Sequence, residues 1–394
     1  MAGHSVLFIS HEFPPDGGGA GRNLSLLAEA LRELGIGIRF CIGQGRARAA
    51  AAGEYGLVDA SVHWVECGRK KRFETRLVNH LKFIVNGWRV MNRAALDPLP
   101  DAVCANMAWP AGFLARMLCK KHGLPLLVWH HGSDVHGGRT EGAGWLQRVY
   151  LRWLWSRCRQ TLFVSPSLRA TAKGYGGLGR DSILPSMIDP RLRAMADAPL
   201  FSGEAPSEPL QLLLLGRLEK VKNPASVLRA MAFLRAWNCR AILRVVGQGS
   251  LEESLRRECR ILGLEDRVSF EPEVSYEDIP ALFARAYALL LPSRAEGMSL
   301  TLMEAALFGV PAIAAAAPGL QEFIVSGENG LLFQPDEPED LARQARFLLA
   351  HPRQRDDYGR RAREWAQART PGASAQAFLS ALHWTSPVAE TEAA

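Results

Sequence analysis

Two kinds of stretch alternate along this chain. Continuous apolar runs of strand length recur, SVLFIS at 5–10, IGIRFCIG at 36–43, DAVCANM at 101–107, LPLLVWHH at 124–131 and TLFVS at 161–165. Between them lie amphipathic stretches of helical period such as NLSLLAEALRELG at 23–35. Runs that are apolar throughout, with no polar alternation, are those of strands covered on both faces, which predicts a parallel sheet with helices on either side. From Asp189 to Pro209 Pro, Gly and small residues replace the period, as in a linker. The same grammar then resumes in LQLLLLGRL at 210–218, NPASVLRAMAFLRAW at 223–237, RAILRVVGQG at 240–249, LEESLRRECRILG at 251–263, RVSFE at 267–271, IPALFARA at 279–286, ALLLPS at 288–293, PAIAAA at 311–316, GLLFQ at 330–334 and EDLARQARFLLA at 339–350. The expectation is α/β, two doubly wound Rossmann-like domains in tandem, 1–190 and 209–370, joined by a linker at 191–208. A segment at 371–394 returns toward the first domain and ends in a disordered tail. Open sheets of this kind bind ligands at the carboxyl ends of their strands, which predicts a cleft between the two domains.

Composition adds a charge asymmetry. Residues 1–200 carry 26 Lys and Arg against 15 Asp and Glu, whereas 201–394 carry 21 against 25. An anionic partner on the first domain is therefore expected. The seven cysteines are scattered without a CxxC pair, which reads as small buried hydrophobes in a reducing compartment, with no metal site and no disulfide frame. No apolar run approaches the ~20 residues of a membrane span, and the N-terminal run is too short for a cleavable leader. The expected location is cytoplasmic.

Candidate chemistry concentrates at strand ends. In SRAEGMSLTLME, at 293–304, the strand-to-helix turn carries Glu296 and the helix after it carries Glu304. A helix start at Gly297, Met298 and Ser299 offers N–H groups and a positive dipole end to phosphate oxygens. Glu304 lies in a helix apolar nearly all round, where a carboxylate needs a ligand or an ion-pair partner. Arg217 and Lys222, in LLGRLEKVKN, follow a buried strand and flank a turn. FPPDGGGAGRN, at 13–23, places Gly18 and Gly19 before a helix, yet it lacks the spacing of a dinucleotide fingerprint. His131 ends a strand and is followed by Gly132, Ser133 and Asp134; His130 and Asp134 read as structural.

Together these stretches resemble the retaining GT-B glycosyltransferases of glycosyltransferase family 4. PSRAEGMSLTLME is similar to the E-x7-E signature, LLGRLEKVKN to G-R-L-x-x-x-K-N, FPPDGGGAGRN to the Pro-Pro-x-x-Gly-Gly loop and WHHGSDV to the His-Gly-Ser-Asp segment. The resemblance implies a GT-B fold and transfer of a hexosyl unit, with retention, from a nucleotide sugar; the base is left open by these motifs, with UDP expected over GDP. The acceptor would be a hydroxyl on a small molecule or on a growing or lipid-linked bacterial glycan. It implies Glu304 on the ribose, Arg217 and Lys222 on the diphosphate, and Glu296 with Gly297, Met298 and Ser299 on the donor sugar. It places Gly18 and Gly19 by the diphosphate and His131 by the sugar. No metal is implied, no cofactor either, and no D-x-D occurs in the sequence. One departure stands out: where the family has Asn-Gly-Val-Asp, this chain reads Ser186-Met187-Ile188-Asp189.

A further stretch, 69–93, steps Phe73, Leu77, Leu81, Ile84, Trp88 and Met91 along one helical face among eight Lys and Arg, with Glu74 the one acid. This pattern fits either a core-packed helix or peripheral contact with an anionic membrane at its inner face. Two other functions share parts of the sequence. A glycosyl phosphorylase or sugar-nucleotide epimerase would keep the fold and the phosphate site without a separate acceptor. A basic nucleic-acid-binding protein would account for the charge but not for the glutamates, and no recognition motif supports it.

Overall fold

The computed structural model of the chain describes residues 4–14, 18–44, 61–68, 77–94, 96–136, 144–197 and 209–384. They form two compact units, Met1–Met187 with Thr370–Ala394, and Ile188–Arg369.

In the first unit the strands are β1 Ser5–Ser10, β2 Gly37–Gln44, β3 Ser61–Glu66, β4 Ala102–Asn106, β5 Leu126–His130, β6 Gln160–Phe163 and β7 Asp181–Ile183. Its helices are α1 Gly19–Glu33, α2 Leu77–Arg93, α3 Phe113–His122, α4 Ser133–His136, α5 Trp145–Trp155 and α6 Pro166–Tyr175. The sheet runs β3-β2-β1-β4-β5-β6-β7, parallel throughout. β4 and β5 are buried at every position, apolar up to their terminal Asn106 and His130. The order reverses beside β1: the chain steps one way from β1 to β2 and the other way from β4 to β5 and β5 to β6. Right-handed crossovers therefore put α1 on one face of the sheet and α2, α3 and α5 on the other.

The second unit opens with α7 Pro190–Ala196 and continues β8 Leu210–Leu215, α8 Pro224–Ala236, β9 Ala241–Val246, α9 Glu252–Ile261, β10 Val268–Glu271, α10 Ile279–Ala284, β11 Ala288–Leu291, α11 Leu300–Leu307, β12 Ala312–Ala315, β13 Gly330–Phe333, α12 Pro338–Ala350 and α13 Pro352–Gln367. Its sheet is β10-β9-β8-β11-β12-β13, again all parallel. α14, Pro371–Leu382, packs with α1 in the first unit, where Phe378 lies 5.8 Å from Phe8 between ring centroids.

Several expectations shift. Part of the stretch read as linker is α7: Asp189 caps it by accepting from the Arg191 N–H at 2.8 Å, and Pro190 fills the first turn. Periodicity over seven residues was too short to show that helix. α1 starts at Gly19, four residues before the apolar period does, because Gly21 must pack against the chain at Phe13; a Cβ there would lie 3.1 Å from Phe13 Cα. Edge strand β3, only partly buried, had no apolar run to reveal it. Phe73 and the cations at 69–76 lie outside the described residues, as does the tail at 385–394. The face expected on α2 divides. Ile84 and Met91 are buried with Phe83 and Gly87, while Leu77 and Leu81 are exposed. Among the described residues no helix is long and apolar enough to cross a membrane.

Candidate functional site

At the carboxyl edge of the first sheet, β4 ends in Asn106 and β5 in His130. The buried Asn106 amide donates to Ser10 Oγ (3.0 Å) and to the Ala20 carbonyl (3.2 Å), which fixes its orientation. Its Oδ1 then accepts from His131 Nε2 at 2.6 Å. His131 thus carries its proton on Nε2 and keeps Nδ1 as an acceptor. Burial holds the His131 pKa down near 4, against an upward pull from the Asp134 carboxylate, so the ring is neutral at neutral pH.

Asp134 organises the turn. It accepts from the N–H groups of Ala108 (3.0 Å), His131 (3.2 Å) and Gly132 (3.3 Å), and its Oδ2 stands 2.6 Å from His130 Nδ1. Burial alone would raise its pKa, but His130 and the Ala108 N–H outweigh it and bring the value to about 2. His130, fully buried, receives the Trp155 indole N–H at 3.0 Å on its other nitrogen. The hydrogen bonds of both side chains run to the protein itself. Gly18 caps α1 without a side chain, and its N–H lies 3.5 Å from Glu12 Oε2; Gly19 is the first helical residue. The Ser186–Asp189 departure is absorbed inside the protein. Asn23 donates to Ser186 Oγ (2.8 Å) and accepts from the Met187 N–H (3.3 Å), and the Met187 side chain is buried where the family has glycine.

Sequence reading missed a second cluster at this edge. The Trp109 indole donates to His80 Nδ1 at 3.0 Å, His11 stacks edge-on against His80 at 4.8 Å, and Tyr150 donates to the Ala108 carbonyl at 2.8 Å. Aromatic residues scattered over 140 positions give no local signal of such a meeting.

At the carboxyl edge of the second sheet, the turn after β8 carries Arg217 and Lys222, and the turn after β11 carries Glu296. Lys222 Nζ lies 2.5 Å from Glu296 Oε1, with the two side chains 27% and 10% exposed. A backbone bond from Arg294 N to the Val221 carbonyl (2.9 Å) joins the same two turns, and Asp336 bonds both Asn223 (3.0 Å) and Arg294 (2.9 Å). Arg217 is exposed. Its turn is gripped from behind: Gly216 N donates to Val246 and Leu218 N to Gln248, both at 3.0 Å. A Cβ on Gly247 would lie 2.0 Å from the Gly216 carbonyl oxygen, so only glycine fits there.

Gly297 is buried, Met298 half-buried, and Ser299 is the N-cap of α11, its hydroxyl accepting from the Leu302 N–H at 3.4 Å. Glu304 is buried within α11 between Met303 and Ala305. The arrangement sets a carboxylate, an ammonium group and a helix N-terminus on adjoining turns, with a second carboxylate one turn into the helix. Such a set can hold a ligand carrying both hydroxyls and phosphates.

Comparison with known proteins agrees with this architecture. The family of glycosyl transferases group 1 matches residues 199–365, and the glycosyl transferase 4-like domain matches 18–184. The glycogen synthase of Mycobacterium tuberculosis is 26% identical over 294 residues, 72% of this chain and 69% of that protein. A GDP-mannose-dependent alpha-(1-6)-phosphatidylinositol monomannoside mannosyltransferase of Mycolicibacterium smegmatis is 29% identical over 303 residues, 71% of this chain and 76% of that one. Among solved structures, sucrose-phosphate synthase from Thermosynechococcus elongatus superposes with a TM-score of 0.80 at 18% identity, covering 96% of this chain and 98% of the other. The Anabaena protein HepE in complex with UDP and glucose gives 0.76 at 18% identity, covering 96% and 99%. With both sheets in this order and matches of one enzyme class along most of its length, the chain belongs to the GT-B glycosyltransferases of the family 4 type.

Proposed function

We propose that the protein transfers a hexosyl unit from a UDP-sugar to a hydroxyl acceptor with retention of configuration and without a metal. The observation that supports this most is the juxtaposition at the second sheet's edge: Lys222 and Glu296 at 2.5 Å on joined turns, with Glu304 buried in the helix that follows. In this reading Glu304 takes the ribose hydroxyls and Arg217 and Lys222 take the diphosphate. Glu296, with the backbone of Gly297, Met298 and Ser299, takes the donor sugar. In the first unit His131 offers Nδ1 to a sugar hydroxyl, and Gly18 and Gly19 bring the start of α1 to the phosphates. As the glycosidic bond to the β-phosphate breaks, the acceptor oxygen attacks the anomeric carbon from the same face. Its proton passes to the departing phosphate oxygen. The two cations stabilise the charge that develops there, the work a metal performs elsewhere. Glu296 and Glu304 are thus not the acid and nucleophile of a glycosidase. The acceptor proposed is a growing or lipid-linked bacterial glycan.

Thermal unfolding with a panel of UDP- and GDP-sugars tests the donor, because a ligand that binds the folded state alone raises its midpoint. UDP-sugars should raise it and Glu304→Ala should abolish the rise. Stabilisation by GDP-sugars alone would replace the base, and unchanged turnover in Glu304→Ala would overturn the site. Product analysis with and without acceptor separates transfer from epimerase or phosphorylase chemistry.

A further inference from the structure

Three of the helices on one face of the first sheet share an unusual composition. α2, α3 and α5, of 17, 10 and 11 residues, contain no Asp or Glu, and they carry three, three and two Lys or Arg respectively. They lie side by side: Lys121 of α3 stands 5.6 Å from the Trp88 ring of α2, and Phe113 of α3 lies 6.0 Å from Trp153 of α5. α1, on the opposite face, mixes Glu29 and Glu33 with Arg22 and Arg32.

The outward surfaces of α2 and α5 are also apolar, and α3 between them holds Phe113 and Met117 half-buried. On α2, Leu77, Val78, Leu81 and Val85 are between 48% and 64% exposed, and on α5 Trp145, Leu146 and Val149 between 56% and 72%. Exposed cations interleave with them. Among the described residues none of Lys82, Arg89, Arg116 and Lys120 is ion-paired. A groove of about 270 Å³ runs between α3 and α5, lined by Phe113, Arg116, Met117, Lys120, Trp153 and Arg157. A second, of about 420 Å³, lies along α2, where Glu66 at the end of β3 is the one carboxylate among its lining residues.

We propose that this three-helix face docks on an anionic lipid bilayer, with the groove between α3 and α5 seating a lipid phosphate. Large aliphatic and Trp side chains set among lysines and arginines suit the acyl–headgroup boundary, where the apolar groups leave water and the cations meet lipid phosphates. A nucleic acid would satisfy the cations and leave seven apolar side chains in water. A second copy of the chain meeting this face through a two-fold axis would set eight cations against eight with no carboxylate among these helices to compensate. The inference holds whatever the donor nucleotide, and it extends the expected contact from 69–93 to a face built from three separate segments.

Flotation of the full chain with vesicles of phosphatidylcholine, alone or with phosphatidylglycerol added, tests it. Two double variants, Leu81→Glu with Val85→Glu and Arg116→Glu with Lys120→Glu, change side chains outside the proposed catalytic groups, all exposed but the half-buried Arg116, and circular dichroism checks their fold. The chain should float with the anionic vesicles and stay behind with phosphatidylcholine. Replacing two cations by carboxylates should weaken binding on the order of thirtyfold or more, and the apolar variant should weaken it as well. No flotation, equal flotation with neutral vesicles, or flotation unaltered in both variants would overturn the proposal. Retention on heparin that depends on the cations, with vesicle binding indifferent to Leu81 and Val85, would assign the face to a polyanion instead.

Discussion

Lys222 and Glu296, 74 positions apart, meet at 2.5 Å where the turns after β8 and β11 adjoin. Both are largely withdrawn from solvent, so each is the other's main source of compensation: either charge alone at that depth would be costly. A diphosphate arriving at Lys222 would offer the ammonium group a second anion. The carboxylate is then available for the hydroxyls of a sugar. The pair holds both turns in place before a ligand arrives, which reduces the ordering left for binding.

Opposite effects on nucleotide binding and turnover follow for the two partners. Lys222→Ala should weaken UDP binding by about 2 to 4 kcal/mol, the cost of removing one partner of a desolvated charge pair. Glu296→Gln keeps the shape, leaves Lys222 to the diphosphate and should bind UDP at least as tightly as the parent. Its turnover should fall about 10²- to 10³-fold, as for loss of one preorganised polar group at the reacting centre. Calorimetry with UDP beside steady-state kinetics separates the two. Weaker UDP binding in Glu296→Gln would show that the carboxylate supports the nucleotide instead.

A pH dependence is built into the first unit. Burial depresses the His131 pKa from 6.5 to about 4 in the folded chain. Between those values the unfolded chain binds a proton that the folded chain refuses. Stability is therefore full above pH 6.5 and falls as the pH drops through the window to 4, by at most about 3 kcal/mol from this group. Asp134, held near 2, acts in the same direction at lower pH: its contribution is present above 3.8 and is lost toward 2. Urea unfolding at several pH values should show His131→Asn with a shallower loss than the parent between pH 6.5 and 4. Parallel curves would remove His131 as the cause.

How far the sequence showed this depends on whether the determinant is local. Strands β1, β4, β5, β8 and β11 are legible because their burial makes their runs predominantly apolar. Lys222, Glu296 and Glu304 were legible as candidates because each follows such a run at a fixed short distance. Their ion pair was not, since nothing within one segment says that the turns after β8 and β11 adjoin; the strand order says it. α7 was hidden by its brevity, and the burial of Ile84 beside the exposure of Leu81 depends on which neighbours α2 finds. His131 was read from its place at a strand end. That its tautomer is fixed by Asn106, held in turn by Ser10 and Ala20, required three segments to be brought together.

Gly319 supplies the most local test of the proposed donor site. Its φ is +81°, in the region that favours glycine, and a Cβ there would lie 2.0 Å from the Glu296 carbonyl oxygen. Beside it, Pro318 accepts the Glu296 N–H at 3.1 Å, so this turn fixes the backbone on which the Glu296 carboxylate is carried. Gly327 has nearly the same φ, +85°, but open space where its Cβ would go. Ala at 327 should therefore cost only the backbone strain, about 1 kcal/mol, with turnover preserved. Ala at 319 adds a clash that the backbone must relieve by moving Glu296. It should cost about 3 kcal/mol or more and lower turnover well beyond what its stability loss explains. Urea unfolding and kinetics below the melting range measure both quantities. Equal turnover in the two variants would mean that the position of the Glu296 backbone does not govern the reaction.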